Sequence, residues 1–149
     1  MPEKRCPYCH EMVDRETFAR HVAKHERLRE DGQQEEYATL PEDEREGGDL
    51  DGVPTVYVHK KCREATGMPE EIVRSYLKNP WLYVADATFC CGCGKHVPFR
   101  ECKWEETGEN LQDYMDDLRA AKPHLKPKGC LGAAAVLIGC GIVIGSILT

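Results

Sequence analysis

Thr88-Phe89-Cys90-Cys91-Gly92-Cys93-Gly94-Lys95-His96 is the stretch on which the reading of this chain turns. Cys90 and Cys93 stand at the spacing with which two thiolates grip one metal ion. A second pair at the same spacing, His59 and Cys62, lies upstream with 27 residues between Cys62 and Cys90. Four such donors close a tetrahedron around Zn²⁺, and in a structural site that closure contributes folding free energy directly. The spacing assigns Cys90 rather than Cys91, with Cys91 and Cys102 left spare. Cys91 stands as an alternative to Cys90, and His96 as an alternative to His59.

Around these pairs the chain reads as a strand, a helix and further strands. Val53 to Val58 is β-branched and aromatic and delivers His59 and Cys62 to a turn. Met68-Pro69-Glu70-Glu71 opens a helix whose Ile72, Val73, Tyr76 and Leu77 share one face, and Asn79-Pro80 ends it. Phe99 to Trp104 returns as a strand. Thr107 begins a last helix with Leu111, Tyr114, Met115 and Leu118 in one stripe. Residues 53–121 thus form a zinc-ribbon-like α+β module with an inserted helix.

At the other end, Cys6-Pro7-Tyr8-Cys9 is followed after eleven residues by His21-Val22-Ala23-Lys24-His25, which predicts a second metal site on Cys6, Cys9, His21 and His25. Residues 6–25, within a finger-like unit over 1–32, resemble a C2H2 zinc finger, with Phe18 at the apolar position three residues before the first histidine. The resemblance places the exposed helix positions on Asp14, Glu16, Thr17 and Arg20, where two carboxylates repel phosphate. Arg20, Arg27 and Arg29 remain as nucleic-acid contacts, a reading ranked below protein contact. Residues 52–121 also resemble uncharacterised bacterial proteins through Tyr57-Val58-His59 to Cys62, Asn79-Pro80, Phe89 to Lys95 and Trp104 to Glu109. That resemblance implies no activity.

Between the two units, residues 33–52 hold eight acidic residues against Arg45 alone. Such a run predicts a flexible, self-repelling spacer. The net charge of −6 therefore resides largely in this stretch.

Residues 129–149 carry no charge and would measure roughly 32 Å as a helix, which predicts a carboxyl-terminal transmembrane span resembling a tail anchor. Lys122, His124, Lys126 and Lys128 form a basic juxtamembrane segment over 122–128 and predict a cytoplasmic soluble part. Gly141 and Gly145 are spaced for close approach of two helices, hence a homodimer through the span. No signal peptide precedes Cys6, so the nine cysteines are read as reduced thiols rather than disulfides.

Catalysis is not expected. Nucleobase deaminases need a glutamate where Lys61 stands and a proline where Phe89 stands. A dithiol redox pair needs a helix at the first thiol, and Gly94 to Pro98 does not propagate one. The sequence as a whole predicts a small α+β protein with two Zn²⁺ sites, acting as a membrane-anchored, non-enzymatic adaptor or regulator of an unidentified protein partner.

Overall fold

The computed structural model describes residues 2–127. A hairpin of β1 (Glu3–Arg5) and β2 (Met12–Asp14) leads into α1 (Phe18–His25). Only Cys6, Phe18 and Val22 are buried in this first unit, with Tyr8 and Val13 against them.

The larger unit is built on an antiparallel sheet in the order β4-β3-β7, with β3 (Val56–His59) central between β4 (Ala65–Gly67) and β7 (Cys102–Trp104). Alternation along β3 and β7 turns Tyr57, His59, Cys102 and Trp104 to the inner face, where all four are buried. A separate hairpin joins β5 (Ala87–Cys90) to β6 (Lys95–Pro98). Two helices close the core. In α2 (Glu70–Lys78) Pro69 holds the N-cap position and Glu70 and Glu71 the first turn, while Ile72, Val73 and Tyr76 are fully buried. In α3 (Leu111–Ala121) the Asn110 side chain caps the helix by accepting from the Gln112 and Asp113 amides. The helix starts there rather than at Thr107, because Asn110 supplies an acceptor at the first turn. Phe99 to Trp104 is not one strand either. Phe99–Glu101 forms a 3₁₀ turn before β7 begins.

The acidic stretch 33–52 differs most from expectation. Instead of standing off as a spacer, it lies along α2, with Ala38 and Thr39 buried and Tyr37 and Leu50 against the main core. The Tyr83 hydroxyl donates to the Ala38 carbonyl, the Leu40 amide to Ser75 Oγ at 2.9 Å, and the Tyr37 hydroxyl to Glu71 at 2.7 Å. The Arg74 guanidinium donates to the carbonyls of Glu46 and Gly48 at 2.7 and 2.8 Å. Charge repulsion among exposed carboxylates is screened by water. These backbone bonds are partly buried and persist.

The strap also joins the first unit to the second. Arg5 makes two hydrogen bonds to Glu44, at 2.8 and 3.0 Å, and the Thr39 amide donates to the Pro7 carbonyl at 3.1 Å. Tyr8 packs against both cores.

The membrane reading is corrected. Among the described residues no helix is long and apolar enough to cross a membrane, and the stretch 129–149 with Gly141 and Gly145 lies outside them. The fold established here is small α+β with two Cys/His clusters. The span, the single-pass anchor, the cytoplasmic placement derived from it and the dimer through it are not carried forward.

Candidate metal centres

Three tight turns position the cysteines, and they share one backbone design. In each, the residue after the second donor has positive φ: His10 at 68°, Arg63 at 63° and Gly94 at 67°. The amide of that residue returns to the carbonyl of the first donor, His10 to Cys6 at 2.9 Å, Arg63 to His59 at 2.8 Å and Gly94 to Cys90 at 2.8 Å. The turn is thereby closed by its own backbone and aims both donor side chains to one side.

In the first cluster Cys6 and Cys9 come from such a turn, and His21 and His25 from one face of α1, four residues apart. The two imidazole Nε2 atoms are 3.3 Å apart, and Cys9 Sγ lies 3.3 Å from His21 Nε2. In the second cluster, His59 ends β3 and Cys62 follows it, while Cys90 ends β5 and Cys93 follows it. Cys62 Sγ is 3.3 Å from Cys90 Sγ, and Cys93 Sγ is 3.4 Å from His59 Nδ1. Within each cluster the donor atoms all lie within 4.8 Å of one another.

These distances test whether the donors fit an ion. Tetrahedral Zn²⁺ with Zn–N of 2.0–2.1 Å and Zn–S of 2.3 Å sets donor separations of roughly 3.3–3.8 Å. The four separations given above fall at the short end of that range, and the remaining donor pairs stay within 4.8 Å. The sulfurs are also far beyond the S–S bond of about 2.05 Å. Both clusters could therefore coordinate Zn²⁺, through two thiolates and two imidazoles in one and three thiolates and one imidazole in the other.

Outside the donors, each cluster has a carboxylate on the far nitrogen of one histidine. Glu101 takes the His59 Nε2 hydrogen bond at 2.9 Å, leaving Nδ1 for the metal, and Lys61 lies 3.4 Å from the same Glu101 oxygen. The bond from His59, aided by Lys61, holds the Glu101 carboxyl below its ordinary range. Glu36, from the acidic strap, pairs with His25 Nδ1, leaving Nε2 free to ligate. Tyr8 stacks on the same ring, centroids 5.2 Å apart. A carboxylate in this position fixes the tautomer and raises ligand basicity. Glu101→Gln is accordingly expected to weaken zinc affinity of the second cluster roughly 10- to 100-fold. Chelator competition on the purified protein measures this, and the first cluster should be unchanged.

The thiols are not equivalent. Burial pushes the Cys90 thiol up to about 12 despite the Cys93 and Gly92 amides. At Cys62 burial acts in the same direction but is outweighed by the Glu64 amide and by hydrogen bonds from Cys90, His59 and Cys93, so its thiol is pulled down to about 7. At neutral pH, metal entry has to expel the Cys90 proton. Affinity therefore falls as pH falls.

The other sequence-picked residues lie elsewhere. Cys91 turns toward β4, its Sγ 3.2 Å from the Ala65 carbonyl and 3.3 Å from Thr66 Oγ1. His96 packs edge-on against Phe89, and Cys102 is buried with its Sγ 3.8 Å from the Pro98 carbonyl. Neither Cys91 nor His96 belongs to a cluster. Arg20, Arg27 and Arg29 are exposed, and Arg29 is paired with Asp31 at 3.0 Å. Glu36 and Glu101 carried no spacing signal, since nothing in a sequence marks which carboxylate folds back onto an imidazole.

Compared with known proteins, the chain matches no family model, no curated protein and no solved structure. The resemblances to the C2H2 finger family and to an uncharacterised bacterial family thus assign no membership. What stands is that two Cys/His clusters resemble metal-binding zinc modules.

Proposed function

We propose that this protein is a structural two-zinc protein, each cluster holding one Zn²⁺ as a fold-forming ion, and that it works by binding rather than by catalysis. The observation that carries the reading is the full set of four protein donors in each cluster. A catalytic zinc keeps one position open for water, and four Cys and His donors leave none. The outer carboxylates of Glu36 and Glu101 support it, because each leaves one imidazole nitrogen free to face the other donors. An adaptor held at a membrane is no part of this reading.

Cobalt substitution tests it. Co²⁺ is expected to bind at two equivalents per chain, with the intense visible absorption of tetrahedral sites carrying thiolate ligands. Zn²⁺ should displace it at both. Weak absorption typical of six-coordinate cobalt, or a band that shifts on adding a water-displacing anion, would mean an open site and would overturn the proposal.

A further inference from the structure

The central sheet buries one face and leaves the other open. Val58 and Lys103, opposite each other across β3 and β7, stand on the open face. There a groove of about 470 Å³ has a lining that includes Val58, Lys60, Arg63, Lys103, Trp104 and Glu105. The register gives it polarity. Lys60 and Arg63 follow the carboxyl end of β3, Lys103 lies midway, and the Glu105 amide donates to the Val56 carbonyl at the opposite end, 2.8 Å away. Val56 to His59 extends roughly 10 Å at about 3.3 Å per residue. Two cations thus stand at one end with Lys103 midway, and Glu105 stands at the other end beside Glu106, whose carboxylate accepts from the Thr55 and Val56 amides.

Arg63 carries a second and independent indication. Its φ of 63° is a conformation that glycine adopts without strain, and the equivalent positions of the other two turns hold Gly94 and a second polar side chain, His10. A long side chain kept at such a position points to a use for that side chain. Arg63 is exposed, and among the described residues neither Arg63 nor Lys103 forms an ion pair.

We propose that this groove binds a phosphorylated small molecule of nucleotide size. Its phosphate sits on Lys60, Arg63 and Lys103, and a hydroxyl or amino group donates to Glu105. A guanidinium and two ammonium groups match a phosphate dianion in charge and hydrogen-bond donors. The volume lies in the range of small-molecule sites. A long polyanion is disfavoured by the chain's net charge of −6 and by Glu105 inside the groove. This site goes beyond the zinc reading, and its Lys60 and Arg63 are carried by the turn that holds His59 and Cys62.

The test titrates the full zinc-loaded chain with inorganic phosphate, with adenosine monophosphate and with a thymidine 20-mer, followed by amide resonances. Adenosine monophosphate is expected to bind about tenfold tighter than inorganic phosphate, shifting Val58, Lys60, Arg63 and Lys103. Arg63→Gly should weaken it about tenfold while raising the melting temperature, because strain is relieved as a contact is lost. Zinc content should stay at two per chain. Glu105→Gln should weaken adenosine monophosphate and spare inorganic phosphate. The proposal is overturned if neither small ligand binds at about 10 mM, if the nucleotide gains nothing over phosphate, if Arg63→Gly leaves affinity unchanged, or if only the 20-mer occupies the groove.

Discussion

Replacing Cys9 by Ser is expected to remove one of two zinc equivalents and to unfold the first unit while the second stays intact. The reason is the size of the first core, which holds only Cys6, Phe18 and Val22. In small zinc modules the metal contributes on the order of 10 kcal/mol, which is as much as the whole stability of many domains. Without it nothing of comparable size remains in the first unit. The second unit buries Trp104, Tyr57, Tyr76, Phe89 and Phe99 and has far more apolar contact to fall back on. Both tryptophans, Trp81 and Trp104, belong to it. Amide dispersion over residues 3–25 should therefore collapse in Cys9→Ser with little change in tryptophan emission. Cys90→Ser should red-shift that emission. If Cys9→Ser kept two zinc equivalents, or left the first unit's dispersion unchanged, the ligand set would be wrong.

Among the described glycines, Gly32→Ala should be the most damaging added methyl. Gly32 has φ +88°, and a Cβ built there would lie 1.9 Å from the Gly94 carbonyl oxygen. That oxygen is backbone in the turn carrying Cys90 and Cys93, so it cannot swing aside. Left-handed backbone costs an alanine about 1–2 kcal/mol, and the forced separation adds roughly 1–3 kcal/mol. A fall in melting temperature of about 10 °C is expected. Gly47→Ala is the control, since nothing lies within 4 Å of a Cβ there. Equal melting temperatures for the two variants would mean that the approach of Gly32 to the turn is not formed in solution.

Much of this arrangement could be read from residue spacing, because the turns that hold metal donors are local. Two donors separated by two residues need only their own backbone closure, as the His10, Arg63 and Gly94 amides display. The paired histidines of α1 likewise follow from helical period alone. Spacing left Cys90 and Cys91 to be separated, and that took β4: Ala65 and Thr66 hold the Cys91 sulfur away from the cluster. The outer carboxylates were hidden because Glu101 reaches His59 across 42 residues of chain. The acidic strap misled for a different reason. Its composition argued against self-burial, but its order comes from side chains of α2, above all Arg74 and Ser75, that bond to its backbone. Composition counts side chains and is silent about carbonyl groups.

That strap changes where the molecule can be divided. Cutting at residue 52, where charge and glycine content suggest a boundary, would strip the Ala38 carbonyl from the buried Tyr83 hydroxyl, the Leu40 amide donor from Ser75 Oγ and the Glu46 and Gly48 carbonyl acceptors from Arg74. A fragment beginning there would present raw core on its α2 flank and be prone to stick to itself. Dissection that keeps residues 37 onward with the larger unit preserves that flank; it severs the Thr39–Pro7 and Arg5–Glu44 hydrogen bonds and the Tyr8 packing, while the His25–Glu36 pair stays with the first unit.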